Sequence, residues 1–398
     1  MIEILLATYN GERFLPEQIE SIINQSYTDY KILASDDNSS DCTFEILRSY
    51  ESVLGEKINV VQSNTHSAKE NFYNLLDMAD AEYIALCDQD DFWESDRLKK
   101  SLKAIKRLER RYGKETPILV HSDLEIVDEN LNSQNKKMSE LTGISEAIKY
   151  AKKESKYLYT ISTEKSFSRY LVENNITGNT VIINKALLDI YKRPKVSFMH
   201  DWWLGLIAFT FGKVGYLNEC LVKYRQHESN ELGAKNPLEL RNIKKRNKKK
   251  IRENYDCMFA QVEEFLRLYK DELGKSRSAD TYFARKYLNA FAKNDNVTCV
   301  FSPEYEEKRD LIEKIFPNAK FDNYKRRTIK REKTYDIKWE VEDLKAIIRE
   351  KLLPIVHLGD SVSLQCAVSE DKKARDKLND EICAELKNHG VSVDKCQI

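Results

Sequence analysis

The sequence predicts an α/β fold built on a mostly parallel, doubly wound sheet with helices on both faces. Three observations carry that expectation. Four short apolar runs alternate with helical patterns within roughly the first ninety residues. Polar clusters follow these runs at their carboxyl ends. The fourth run, Tyr83-Ile84-Ala85-Leu86-Cys87, stops abruptly in Asp88, Asp90 and Asp91.

Ile2 to Ala7 reads as the first strand, buried on both faces because it lacks polar alternation. Pro16 to Gln25 reads as a helix, with Pro at its start and Ile19, Ile22 and Ile23 on one face. Tyr30 to Ala34 is the second strand and ends in Asp36-Asp37-Asn38-Ser39-Ser40-Asp41; Phe44, Ile46, Leu47 and Tyr50 then space as a helix. Ile58 to Val61 is the third strand, Lys69 to Met78 a helix, and Tyr83 to Cys87 the fourth strand. In such sheets ligands bind in the crevice outside the carboxyl ends of the strands. Thr8-Tyr9-Asn10, Asp36-Asp37, Asn64 and Asp88-Gln89-Asp90-Asp91 are therefore expected to share one site.

Three carboxylates within four residues repel one another. Either Asp88 or Asp91 caps the next helix and all three are solvated, or a cation is brought to them. All-oxygen ligands suit Mn2+ or Mg2+, which takes one or two carboxylates and fills its other positions with water and phosphate oxygens. That is the chemistry of a nucleotide diphosphate. No G-x-G-x-x-G or G-x-x-x-x-G-K-[ST] loop occurs, so metal and side chains must neutralise the diphosphate. An EF-hand over Asp36 to Leu47 is excluded, since it lacks the central Gly and has Leu47 where a bidentate Glu is needed.

Further on, Pro117 to Val127 reads as a strand with His121 and Asp123 near its end, and residues 128–170 as a polar loop and helix over the cleft. Ile176 to Ile183 resumes a strand whose Gly178 permits close backbone approach. His200-Asp201-Trp202-Trp203 opens a helix through Phe211, and Gly215 to Tyr224 forms a last strand. Asp201 suits a helix cap, which is compatible with catalysis because a helix start holds a carboxylate rigid and ionised.

At 398 residues, 33% charged and 41% hydrophobic, the chain is long enough for two domains. The net charge of zero hides an asymmetry: residues 1–240 hold 30 Lys+Arg against 37 Asp+Glu, and residues 241–398 hold 35 against 28. The eight cysteines form no C-x-x-C pair, which implies reduced thiols and a cytoplasmic compartment. Met1 runs straight into a strand pattern, so no signal peptide is expected. No apolar run approaches the ~18 residues that span a bilayer.

These motifs resemble a family. Ala7-Thr8-Tyr9-Asn10-Gly11, Asp36 to Asp41, Asp88-Gln89-Asp90-Asp91-Phe92-Trp93, His200-Asp201-Trp202-Trp203 and Tyr224-Arg225-Gln226-His227-Glu228-Ser229-Asn230, in this order, are similar to the inverting glycosyltransferases of family 2, of GT-A fold, and most to their bacterial rhamnosyltransferase-like branch. The resemblance ends near residue 235, giving an expected catalytic domain over 1–235 and a mainly helical accessory domain over 236–398.

It implies that Thr8, Tyr9 and Asp36 hold the nucleoside, with Asn64 beside them. Asp88 and Asp90 form the D-x-D pair, Asp90 the direct metal ligand and Asp88 nearer the ribose. Asp201 is the general base; the family more often has Glu-Asp here, and His200 stands in place of the Glu. Arg225 is expected to pair with the diphosphate, and His227 to donate to it or touch the metal. His121 and Asp123 lie near the donor sugar or acceptor, or are simply strand-end surface residues. Trp202 and Trp203 are a sugar platform or core.

The implied reaction is transfer of L-rhamnose from dTDP-L-rhamnose to a hydroxyl of a bacterial surface polysaccharide or its lipid-linked precursor. Alternatives are a UDP-hexose or UDP-N-acetylhexosamine donor, and a catalytically silent GT-A scaffold that binds polysaccharide. The basic run Arg241 to Arg252 opens a helix continuing through Tyr269 and is either a solvated face or a contact to anionic lipid at the inner face of the plasma membrane. It lacks the interleaved aromatics of a nucleic-acid site. Val297 to Phe301 and Leu353 to Leu358 read as short strands, and Trp339, Leu344, Ile347, Ile348 and Leu352 as one helix face packed on a partner, for which another subunit of a homo-oligomer is a candidate.

Overall fold

The computed structural model describes residues 1–227 except 143, 164–165, 168–169 and 172–173, and beyond them 248–275, 281, 284, 288, 298–301, 334–338, 361–365, 384 and 392–397. The helix expected over 339–352, the strand over 353–358 and residues 228–247, which include the expected domain boundary and the start of the basic run, lie outside these.

The chain begins β1 (Ile2–Thr8), α1 (Leu15–Ile23), β2 (Tyr30–Asp36), α2 (Thr43–Leu54), β3 (Ile58–Gln62), α3 (Ala68–Met78), β4 (Tyr83–Asp88) and β5 (Phe92–Trp93). It continues through α4 (Arg97–Tyr112), β6 (Ile118–Val127), β7 (Ser133–Lys137), α5 (Met138–Leu141), α6 (Ile144–Lys149), β8 (Lys152–Lys153) and β9 (Leu158–Thr160). Next come β10 (Ile182–Asn184), α7 (Lys185–Ile190), α8 (His200–Phe211), β11 (Lys213–Arg225), α9 (Lys248–Leu268) and α10 (Lys270–Lys275).

One sheet runs in the order β3-β2-β1-β4-β10-β6-β11-β9-β8, with β5 pairing β11 and β7 pairing β6. Strands β1 to β4 are parallel, as are β6 and β11, but β10 lies antiparallel between β4 and β6. The apolar runs are continuous because both faces are covered. Along β1, Ile2, Ile4 and Leu6 pack with α1 and α4, whereas Leu5 and Ala7 pack with α3 and α8.

Two expectations change. Ile176 to Ile183 is not one strand: Gly178–Thr180 form a 3-10 turn, and only Ile182–Asn184 pair. The loop and helix expected over 128–170 are met only in part, since the short helices α5 and α6 lie there but so do three short strands. β7 pairs with β6, and β9 and β8 extend the sheet beyond β11; the side chains of β7 and β8 are exposed, while Leu158 and Thr160 of β9 are buried.

Helix α9 packs into the same core as the first 227 residues. Met258, Val262, Phe265, Tyr269 and Leu273 are buried with Trp203, Leu206 and Phe209, and the isolated Ala284 and Leu288 join them. Further on, Thr298–Phe301, Thr334–Lys338, Ser361–Gln365 and Ser392–Gln397 (β12 to β15) form a second sheet in that order, the last three strands parallel.

Candidate active site

A cavity of about 460 Å3 opens at the carboxyl ends of the parallel strands, and two stretches of chain line it. The first supplies Thr8 and Tyr9 after β1, Asp37 after β2, the start of α3 from His66 to Phe72, and Asp88-Gln89-Asp90 after β4. The second supplies Thr177, Gly178, Met199, His200, Asp201 and Tyr224.

At the first end the loops are tightly pinned. Asp36 is fully buried beneath Thr8, accepting from Thr8 Oγ1 at 3.0 Å and from Ser39 Oγ at 2.6 Å and Ser39 N at 3.0 Å. Its neighbour Asp37 reaches the lining instead. Burial alone would raise the Asp37 carboxyl, but hydrogen bonds from Thr65, Ser67 and Ser63 outweigh it and hold it below the ordinary carboxylate value. Tyr9 is exposed at the rim, its backbone N–H donating to Gln89 Oε1 and its carbonyl accepting from Gln89 Nε2, both at 2.8 Å. Asn64 is exposed and outside the lining, where His66 and Ser67 take its place. Asn10, Asn38 and His66, one in each loop after β1, β2 and β3, adopt left-handed backbones with φ of 47°, 60° and 53°.

The three acids part company. Asp88 and Asp90 line the cavity, while Asp91 turns inward, fully buried, and accepts from Asn179 Nδ2 and from Arg225 N at 3.0 Å. Burial, then the charges of Asp90 and Asp88, push the Asp91 carboxyl well up. Behind it, Arg97 is buried with its guanidinium 3.5 Å over the Trp93 ring, donating to Leu86 O at 3.2 Å and Asn179 O at 2.6 Å.

Arg225 does not line the cavity. It is buried behind the acids, where Nε donates to Asp90 O at 2.8 Å, Nη1 to Glu129 O and Nη2 to Glu17 Oε2 at 2.5 Å. The turn that carries the acids leaves the Asp90 carbonyl to satisfy, and this guanidinium satisfies it. His227 Nε2 sits 2.8 Å from Asp90 Oδ2, its ring against Phe14 at 4.8 Å.

Among the described residues no three His, Cys, Asp or Glu side chains converge so as to hold a metal ion unaided. Two carboxylates open to a roomy cavity nevertheless fit Mn2+ or Mg2+, whose remaining positions are filled by water and phosphate.

Asp201 faces the cavity from the first turn of α8. It is 7% exposed, and its Oδ1 accepts from Asn174 Nδ2 at 3.0 Å and from Trp202 N at 2.6 Å. Burial pushes its carboxyl up to about 6, against the hydrogen bonds that favour the charged form. A carboxylate so tuned is a competent base near neutral pH.

The segment before it is held from both sides. From α3, Lys69 Nζ donates to Ser197 O at 2.9 Å and Tyr73 OH to Ser197 Oγ at 2.7 Å. From α9, Gln261 Oε1 accepts from Phe198 N at 2.8 Å and Glu264 Oε1 from Lys195 N at 2.9 Å.

Four residues left with alternative roles do not line the cavity. Trp202 and Trp203 are core residues, their indole N–H groups donating to Tyr170 O at 2.8 Å and Lys192 O at 3.0 Å. A helix start between two layers turns both indoles inward. His121 and Asp123 fall in the middle of β6, not at its end, and neither reaches the cavity. Asp123 accepts from Ser139 Oγ at 2.6 Å and Ser139 N at 3.1 Å; burial pulls the His121 imidazole down to about 3.

The family model described as Glycosyl transferase family 2 matches residues 3–174. That stretch, 172 of the chain's 398 residues, carries a glycosyl transferase family 2 domain. The architecture is the GT-A fold, and the protein is a glycosyltransferase. The dTDP-rhamnosyl transferase RfbG of Shigella flexneri is 29% identical over 243 residues, covering 58% of this chain and 74% of that protein. The putative teichuronic acid biosynthesis glycosyltransferase TuaG of Bacillus subtilis (strain 168) is 25% identical over 229 residues, or 56% and 79% of the two chains. Among solved structures, S. aureus TarS 1–349 in complex with UDP-GlcNAc aligns with 72% of this chain and 71% of its own, at 17% identity and a TM-score of 0.48.

Of the lining residues, the start of α3 was not foreseen as part of the site, although Ser67-Ala68-Lys69-Glu70 is a capping signature that marks its beginning.

Proposed function

We propose that this glycosyltransferase moves L-rhamnose from dTDP-L-rhamnose to a hydroxyl of a bacterial surface polysaccharide or its lipid-linked precursor, with inversion at the anomeric carbon. The observation that carries this reading is the opposition of two acid sets in one cavity: Asp88 and Asp90 on one stretch, Asp201 on the other. The likeness to RfbG, at 29% identity, supports this choice of donor.

Thr8, Tyr9 and the Asp36-Asp37 loop receive the nucleoside. Asp90 and Asp88 would hold Mn2+ or Mg2+, which when bound would supply Lewis-acid stabilisation of the departing diphosphate. Asp201 Oδ takes the proton of the acceptor hydroxyl as its oxygen bonds to the anomeric carbon, on the face opposite the leaving group. Arg225 and His227 set the position of Asp90 from behind, so Arg225 serves the diphosphate indirectly.

A thermal-shift panel of dTDP, UDP, GDP and CDP, with and without Mn2+, tests the assignment. A ligand at 100 times its dissociation constant adds about 2.7 kcal/mol of stability. Stabilisation by dTDP with Mn2+, absent in Asp90→Ala, is the expected result. A preference for UDP moves the donor to a UDP-hexose or UDP-N-acetylhexosamine, and silence toward every nucleotide favours a polysaccharide-binding scaffold.

No helix among the described residues is long and apolar enough to cross a membrane. The basic run Arg241 to Arg252 places the enzyme peripherally on the inner leaflet in this reading, with about 1 kcal/mol per basic residue near an anionic surface. Salt-sensitive co-sedimentation with anionic vesicles is expected; co-sedimentation that high salt leaves intact contradicts it.

A further inference from the structure

His200, first residue of α8, lines the cavity yet is only 3% exposed. Its ring stacks on Phe72 with centroids 4.0 Å apart and planes 22° apart. Neither Nδ1 nor Nε2 has a hydrogen-bond partner. A buried polar group left so is costly, and the cost is removed when a ligand supplies the partner.

The missing side chain at Gly178 shows where that partner fits. A Cβ there would stand 2.8 Å from His200 Nε2 and 3.6 Å from Asp201 Oδ2. The imidazole and the carboxylate thus border the same small space over the Gly178 backbone, and any larger residue at 178 would close it. An uncharged imidazole offers one N–H and one lone pair, which matches a sugar hydroxyl that both donates and accepts. Burial favours that uncharged form, pulling the ring down to about 3.

From this geometry we infer that His200 is a sugar-recognition residue, its ring nitrogen hydrogen-bonding a hydroxyl of the saccharide seated against Asp201. This rests on the transferase reading above and adds which side chain grips the sugar. The hydroxyl belongs either to the donor sugar or to the acceptor, and the chemistry is the same.

The test compares wild type, His200→Leu and His200→Gln. Leu keeps the bulk against Phe72 without the unpartnered nitrogens, so its melting temperature is expected to equal or exceed the wild type's. Sugar recognition should fall about tenfold or more, with Gln restoring part of it. If the donor sugar is held, the tighter binding of dTDP-L-rhamnose over dTDP disappears in His200→Leu while dTDP itself binds unchanged. If the acceptor is held, that increment survives, and binding of methyl glycosides (rhamnoside, glucoside, N-acetylglucosaminide) weakens instead. A variant matching wild type in both arms overturns the inference, as does one whose loss of sugar binding merely follows a lowered melting temperature. A wild type deaf to all nucleotides overturns the transferase reading alone; the glycoside arm then still decides the role of His200.

Discussion

A chain cut after residue 235 is expected to lose the stable fold of its catalytic half, whereas one cut after residue 290 keeps it. Met258, Val262, Phe265, Tyr269, Leu273 and Leu288 all insert into the core that holds Trp203 and Phe209. Each such side chain is worth about 1.5–3 kcal/mol of burial, and domains of this kind have only about 5–15 kcal/mol to lose. Loss of Gln261 and Glu264 would also leave the backbone N–H groups of Phe198 and Lys195 without these partners just before Asp201. Melting curves of the two truncated chains decide the matter. A shorter chain that melts with the full one and still responds to nucleotide rules out this role for α9.

Replacing the proposed base is expected to have the other large effect. Asp201→Asn is expected to slow transfer by about 10²–10⁴-fold while leaving nucleotide-induced stabilisation intact. A loss of both together would mean that Asp201 supports the fold, not the proton transfer. The wild type adds a pH signature. Only ionised Asp201 can accept a proton, and burial holds its carboxyl at about 6, so kcat/KM should fall as pH drops through about 6 and Asp201→Asn should lack that limb. Stability runs the other way. The folded protein binds this proton more tightly than the unfolded chain, whose value is near 3.8, so the contribution of Asp201 to stability declines as pH rises from about 3.8 to 6 and is flat above. The group is most useful where it is least comfortable.

Much of this was legible beforehand, and for a physical reason. A strand covered on both faces has to be apolar throughout, so β1, β2 and β4 stand out of the sequence to within two residues. The acids that close β4 and the acid that opens α8 are likewise conspicuous, because carboxylates rarely interrupt apolar runs without cause. What escaped depends on direction and depth. Three residues of β10 carry no mark of an antiparallel course, which only their neighbours β4 and β6 decide. Arg97 and Arg225 look like any surface cation, yet both are buried, one on Trp93 and the other in the carbonyls of the acid turn. His200 reads as a substitution beside a base, and only its empty hydrogen-bonding capacity gives it meaning.

The cavity is written in two separate passages of the chain, one complete by Asp90 and the other starting only at Thr177. The two are nevertheless tied together, since Asn179 bonds Asp91 and Arg97 while Arg225 bonds Asp90 and Asp91. A hybrid chain joined within the long interval between them would therefore keep its site only if both parents supplied matching partners at these contacts.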